Sequence, residues 1–191
     1  MKISKSVRRA VLLGALLATP GLYAAEVAGI KVEDSLRVGS SELVLNGAGL
    51  RSKLFIKVYV GALYASQKSA TAAALLDSTA PRRMQMRLLR DLGADALHEA
   101  LEDGLNSNNT PAELAEIKSQ SEQLAGIMKS IGKVKEGDTV AIDFQADGIA
   151  VSLNGEARGK VAGSGFARAL LKVWLGDKPV DASLKKALLG I

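Results

Sequence analysis

With 191 residues, no cysteine and one histidine, the chain has the length for a single domain with a sizeable core, while thiol catalysis, disulfides and cysteine metal sites are excluded. The formal net charge of +5 is gathered at the N-terminus, because Lys2, Lys5, Arg8 and Arg9 precede every acidic residue; without those four, 21 Lys+Arg face 20 Asp+Glu, an excess of one. That balance, with aromatics at 4% and no basic run interleaved with them, argues against a nucleic-acid surface.

Residues 1–24 open with these cations, continue through the apolar Ala10–Leu17 and end on Pro20 and the small residues Ala24 and Ala25. The pattern predicts a secretory signal peptide, too short and interrupted for a membrane span, followed by one domain over 25–191. No lipid-attachment cysteine follows it, so a soluble periplasmic protein is expected, standing on its core without disulfides.

Between Ile30 and Leu45 short alternating segments, broken at Asp34-Ser35 and Gly39-Ser40-Ser41, predict two or three strands. The organising stretch is Asn46–Tyr64, read as a Gly-rich turn, an arginine and a long strand. A regular strand places Ile56, Val58, Val60, Ala62 and Tyr64 on a purely apolar face. Phe55, Lys57, Tyr59, Gly61 and Leu63 then share the other, where a cation and a phenol among apolar groups suit a cavity wall.

A short helix is expected over Ser69–Leu76, ending before Pro81. The segment Arg82–Arg90 reads as a half-solvated strand, with Met84, Met86 and Leu88 opposite Arg83, Gln85 and Arg87. From Gly93 to Asn109 the period changes to that of a helix, with Leu97, Leu101 and Leu105 as its stripe. A second helix begins at Thr110, with Pro111 in its first turn and Glu113 completing a capping box, and runs through Leu114, Ile117, Leu124, Met128 and Ile131. The last third predicts strands around Val140–Phe144 and Ile149–Leu153, joined by turns at Asp147-Gly148 and Asn154-Gly155. A strand over 156–162 then leads into a helix carrying Phe166, Leu170, Val173 and Trp174 to Gly176, and a short helix covers Ala182–Leu189.

Among residues able to do chemistry, His98 lies off its helix's leucine stripe as a solvated residue, and one histidine supports neither a metal site nor a catalytic triad. Gly163-Ser164-Gly165 imitates the start of a dinucleotide fingerprint, yet Arg168 stands where the third glycine belongs, so it reads as a strand-to-helix turn. Arg51 is the candidate anchor. It is equally consistent with an ordinary arginine paired with a carboxylate, as Tyr59 is with a core tyrosine whose hydroxyl sits at the rim.

The run GAGLR followed by FIKVYVGALY resembles the GAG-x-R and FIK elements of the chalcone isomerase family, in its bacterial chalcone isomerase-like branch. Gly137-Asp138-Thr139, the Asn154-Gly155 turn and Phe166 through Trp174-Leu175-Gly176 agree, so that the resemblance spans roughly Val32 to Gly190. It implies an α+β fold, an open-faced β-sandwich with a long antiparallel sheet and helices layered on one face. In that family the arginine after GAG polarises chalcone in plant isomerases and grips a carboxylate in fatty-acid-binding relatives, and Arg51 holds its position. The plant enzymes' threonine corresponds to Tyr59, their tyrosine falls near Ala96 and their asparagine near Asp103.

These departures turn the expectation toward a non-catalytic periplasmic binder of an apolar anion such as a fatty acid. Arg51, Tyr59 and Lys57 are the expected ligand-binding residues, with no cofactor, metal or nucleic acid involved. The alternatives are an isomerase or lyase acting on a conjugated ketone, with Tyr59 as a substitute acid, and a ligand-free structural role.

Overall fold

The computed structural model describes residues 23–191; the segment read as a signal peptide lies almost wholly outside them. The chain runs β1 (Tyr23–Val27), β2 (Ile30–Glu33), β3 (Ser35–Val38), β4 (Ser41–Lys53), β5 (Ile56–Ala65), α1 (Ala72–Leu76), β6 (Arg82–Leu88), β7 (Leu92–Gly93) and α2 (Ala94–Asn108). It continues through α3 (Pro111–Glu116), α4 (Lys118–Ile131), β8 (Lys133–Val134), β9 (Thr139–Gln145), β10 (Gly148–Leu153), β11 (Glu156–Ala162), α5 (Ser164–Leu175) and α6 (Ala182–Leu189).

Seven strands form one antiparallel sheet in the order β11-β10-β9-β6-β5-β4-β3. On one face the main core joins Leu63, Met84, Leu88, Ile142 and Phe144 to Leu101, Leu124, Leu170, Trp174 and Leu188 of the helices. On the other, a smaller cluster of Val60, Ala62 and Tyr64 with Leu43 and Leu45 lies under the β1–β2 hairpin. This is the expected α+β open-faced sandwich, and the alternation read in Arg82–Arg90 is present over Arg82–Leu88, with Met84, Met86 and Leu88 buried. Arg82 is also buried, because its guanidinium turns back to donate to the carbonyls of Leu75 and Leu76 at the end of α1 and of Ala80 in the loop that follows.

Three local expectations need correction. Asn46–Arg51 is not a turn: β4 runs unbroken from Ser41 to Lys53. Gly47 and Gly49 serve close approach instead, since a Cβ on Gly47 would stand 2.1 Å from the Ala187 carbonyl oxygen and one on Gly49 2.5 Å from the Ala187 Cβ. Helix α6 therefore lies directly on the strand. Asn46, the extra residue of a bulge, fastens that contact by donating to the Leu188 carbonyl at 2.7 Å and accepting from Ser69 N at 2.7 Å.

The second correction is the turn itself, which falls at Leu54-Phe55, where Lys53 faces Ile56 across a two-residue loop. Both residues hold left-handed backbone, φ 49° and 67°, as in a type I′ turn. Asn154-Gly155 makes the same kind of turn with favoured residues, whereas in a leucine or phenylalanine the conformation costs about 1–2 kcal/mol per residue. The third is the helix after Thr110. Its capping box is present, but the helix breaks at Ile117 into α3 and α4.

Candidate functional site

A second irregularity of the β4–β5 pair makes the site. Arg51 faces Tyr59 while Ser52 faces Lys57, so Val58 is an extra residue on β5. A bulge breaks the alternation that the sequence pattern assumed. Val58 joins Tyr59 in the core on the helical face, and Lys57 is turned out to solvent. The structure thus brings Arg51 and Tyr59 together and leaves Lys57 outside the cavities they line. Phe55 and Ile56, placed on the two faces of a regular strand by the sequence pattern, are exposed on the hairpin apex.

Tyr59 is buried, and its hydroxyl accepts a hydrogen bond from Trp174 Nε1 at 2.9 Å. Arg51 lies against the same ring, its guanidinium carbon 5.5 Å from the ring centre, a cation–π contact. Burial pushes the Tyr59 phenol above its ordinary pKa; the Arg51 charge and the Trp174 hydrogen bond oppose that shift, and the charge of Asp181 adds to it. Asp181 caps α6 through Ser183 N and Leu184 N, both at 2.9 Å, and accepts from Ser52 N at 3.2 Å. Through that last bond it ties the start of the helix to the strand carrying Arg51.

Arg51 Nε is buried without a hydrogen-bond partner, and among the described residues no carboxylate lies within ion-pair distance of this guanidinium. The alternative of an arginine paired with a protein carboxylate is therefore not what is seen. A guanidinium offers five N–H donors in a fixed fork, and leaving a buried one unmade is costly.

Two spaces meet at Arg51. One, about 310 Å³, is an open polar cleft between the β4–β5 hairpin, α2 and the segment 178–180, lined by Ala96, Glu99, Asp103 and Lys178 among others. The other, about 30 Å³, is apolar and lies under the helices among Tyr59, Met86, Leu101, Met128, Val173 and Trp174. Ala96 and Asp103, the positions matched to the plant tyrosine and asparagine, both face the first space. Sequence reasoning placed Trp174 only in the core; that a lone buried tryptophan needs an acceptor for its N–H was the available signal. Asp181, directly before the helix read from Ala182, carried an N-cap signal but none for its bond to Ser52.

Among the described residues no cluster of His, Asp or Glu could hold a metal ion, and no helix is long and apolar enough to cross a membrane. His98 lies on α2, 3.6 Å from Glu102. Gly163 is the N-cap of α5, a strand-to-helix turn as read.

A family model described as chalcone isomerase-like matches residues 24–190. The chain belongs to the chalcone isomerase-like family. A solved structure with the same fold is a fatty-acid binding protein of Arabidopsis thaliana, 18% identical, with a TM-score of 0.67 over 84% of this chain and 92% of that one. No curated protein matches the chain significantly. Membership accounts for the sheet with its helical layer, and within it Arg51 occupies the wall shared by an apolar cavity and a polar cleft.

Proposed function

We propose that this chalcone isomerase-like protein is a non-catalytic carrier of an apolar anion such as a fatty acid, with Arg51 gripping the carboxylate. The observation that carries the reading is the buried, unpartnered Arg51 Nε at the junction of the two spaces. A carboxylate matches the guanidinium fork with two parallel hydrogen bonds, and the Tyr59 hydroxyl, a phenol that burial moves further from ionising, has a proton to donate. The fatty-acid binding activity named for the Arabidopsis structure supports the same reading. Lys57 has no part in it, because the bulge turns it away.

The apolar cavity, at about 30 Å³, is far below the roughly 300 Å³ at which ligand pockets begin. A tail enters only when α2 and α4 move off the sheet. Met86 and Met128 line the space that would grow, and methionine is the side chain that repacks most readily. Loading should therefore show as a change in the side-chain packing of these two residues rather than in the strand pairing of the sheet.

The proposal extends to place: residues 1–24 direct export, and the mature chain begins at Ala25 or Glu26. Intact mass of protein from the periplasmic fraction should show loss of about 24 or 25 residues, and full-length protein in the cytosol would refute export. The binding test is a titration with a long-chain fatty acid and with its uncharged alcohol. A charge-assisted bond contributes about 1.5–3 kcal/mol, so the acid should bind the wild type about ten- to a hundredfold more tightly, and Arg51→Ala should erase the difference. Arg51→Lys should fall between, keeping the charge and losing the fork. Equal affinity for acid and alcohol would sink the reading. Arg51-dependent consumption of a hydroxychalcone would replace it with the isomerase.

A further inference from the structure

Leu54, Phe55 and Ile56 stand at the apex of the β4–β5 hairpin, 83%, 102% and 50% exposed. Among the described residues only one other large apolar side chain, Ile191, is comparably exposed. Lys53 and Lys57 flank the three, both exposed and neither in an ion pair with a described residue. The apex also breaks the local rule for its turn, since two bulky residues hold the left-handed conformation that asparagine and glycine adopt freely. An apolar apex kept at the expense of backbone strain points to a function for those side chains.

We propose that this apex is a bilayer-docking wedge, with Leu54, Phe55 and Ile56 entering the acyl boundary of an anionic phospholipid surface and Lys53 and Lys57 meeting its phosphates. Size favours lipid over protein, because three side chains fall far below the roughly 20–30 residues per side of a stable protein interface. Charge favours it too. A short apolar tip collared by cations is the pattern of an interfacial anchor, where lysine stems lie along the acyl boundary and ammonium groups reach the headgroups. The docked apex would hold the cleft mouth near the membrane, since Arg51 lies on the same strand two residues before Lys53. Docking itself does not depend on what the cleft binds.

The test uses vesicles of phosphatidylethanolamine and phosphatidylglycerol, with phosphatidylcholine vesicles for comparison. The wild type should co-sediment with the anionic vesicles and less with the neutral ones. Leu54→Asn combined with Phe55→Gly should weaken the interaction about tenfold or more without lowering the melting temperature, since these residues suit the turn. Phe55→Trp supplies a local reporter: its emission should shift to the blue when anionic vesicles are added, which attachment by any other segment would not produce. Lys53→Gln with Lys57→Gln should weaken binding and flatten its salt dependence. A wild type that stays in the supernatant, an Asn-Gly variant that sediments like the wild type, or reporter emission unmoved by vesicles would each overturn the proposal.

Discussion

At the inner end of the β4–β5 hairpin, Gly47 and Gly49 let the backbone of α6 rest on the strand; at the outer end, Leu54 and Phe55 hold left-handed backbone with no glycine between them. The glycines sit where the strand is pressed against α6, and the bulky residues where it turns in water. In the interior, available space decides what a position accepts, and a glycine there yields room to a neighbour. At the apex nothing crowds the side chains, so the cost lies in the backbone alone and can be borne when the side chains are useful elsewhere. The site lies between these ends, where the Val58 bulge joins Arg51 to Tyr59.

The contrast is broken most forcefully at Gly47. Its Cβ would meet the carbonyl oxygens of Ala187 at 2.1 Å and Leu188 at 2.8 Å, both backbone atoms, so Gly47→Ala should cost more than about 3 kcal/mol in urea unfolding. A loss below about 1 kcal/mol would mean that α6 rides loosely on the sheet. The next effect is at the site. Tyr59→Phe leaves the Trp174 N–H without its acceptor and should cost about 1–3 kcal/mol, while Trp174→Phe made in the same chain should be less than additive with it. Full additivity would show that the two rings contribute by packing alone.

The apex should respond with the opposite sign. Leu54→Asn with Phe55→Gly relieves two strained positions and should raise stability by about 1–2 kcal/mol; a loss of stability would place unseen packing on those side chains. The smallest effect sharpens the comparison from outside the hairpin. Glu113 closes the capping box at Thr110 and meets Lys172 at 2.9 Å, contacts that depress its carboxyl to about 2. A lowered folded-state pKa means that this contribution is complete above the ordinary carboxylate value near 4.5 and is lost as pH falls through about 2. Glu113→Gln should remove that part of the acid sensitivity between these values, and an unchanged acid profile would count against the box.

The element types, most helix starts and the core stripes were legible in the residues, because they rest on local periodicity and capping: Thr110 to Glu113, the Asn154-Gly155 turn, and the leucines of α2. Arg51 and Tyr59 were legible as candidates through the GAGLR and FIK motifs. What the pattern could not carry was parity. One extra residue at Val58 exchanges the faces before it on β5, and that is why Lys57 fell on the wrong side, while Ile56 is exposed because it stands at the hairpin apex. A bulge depends on pairing between two strands, and no single strand announces it.

By itself, then, the sequence determined the family, the types of most elements and the candidate residues Arg51 and Tyr59, all properties of residues near one another in the chain. Tertiary structure alone decided the rest. Gly47 and Gly49 became a seat for α6 rather than a turn because residues more than a hundred positions away press on them. Trp174 became the partner of Tyr59 because α5 brings its indole N–H to the Tyr59 hydroxyl from 115 positions away. Arg51 was left with a buried, unpaired nitrogen because no described carboxylate reaches it, a fact about spatial neighbours that spacing along a chain does not contain.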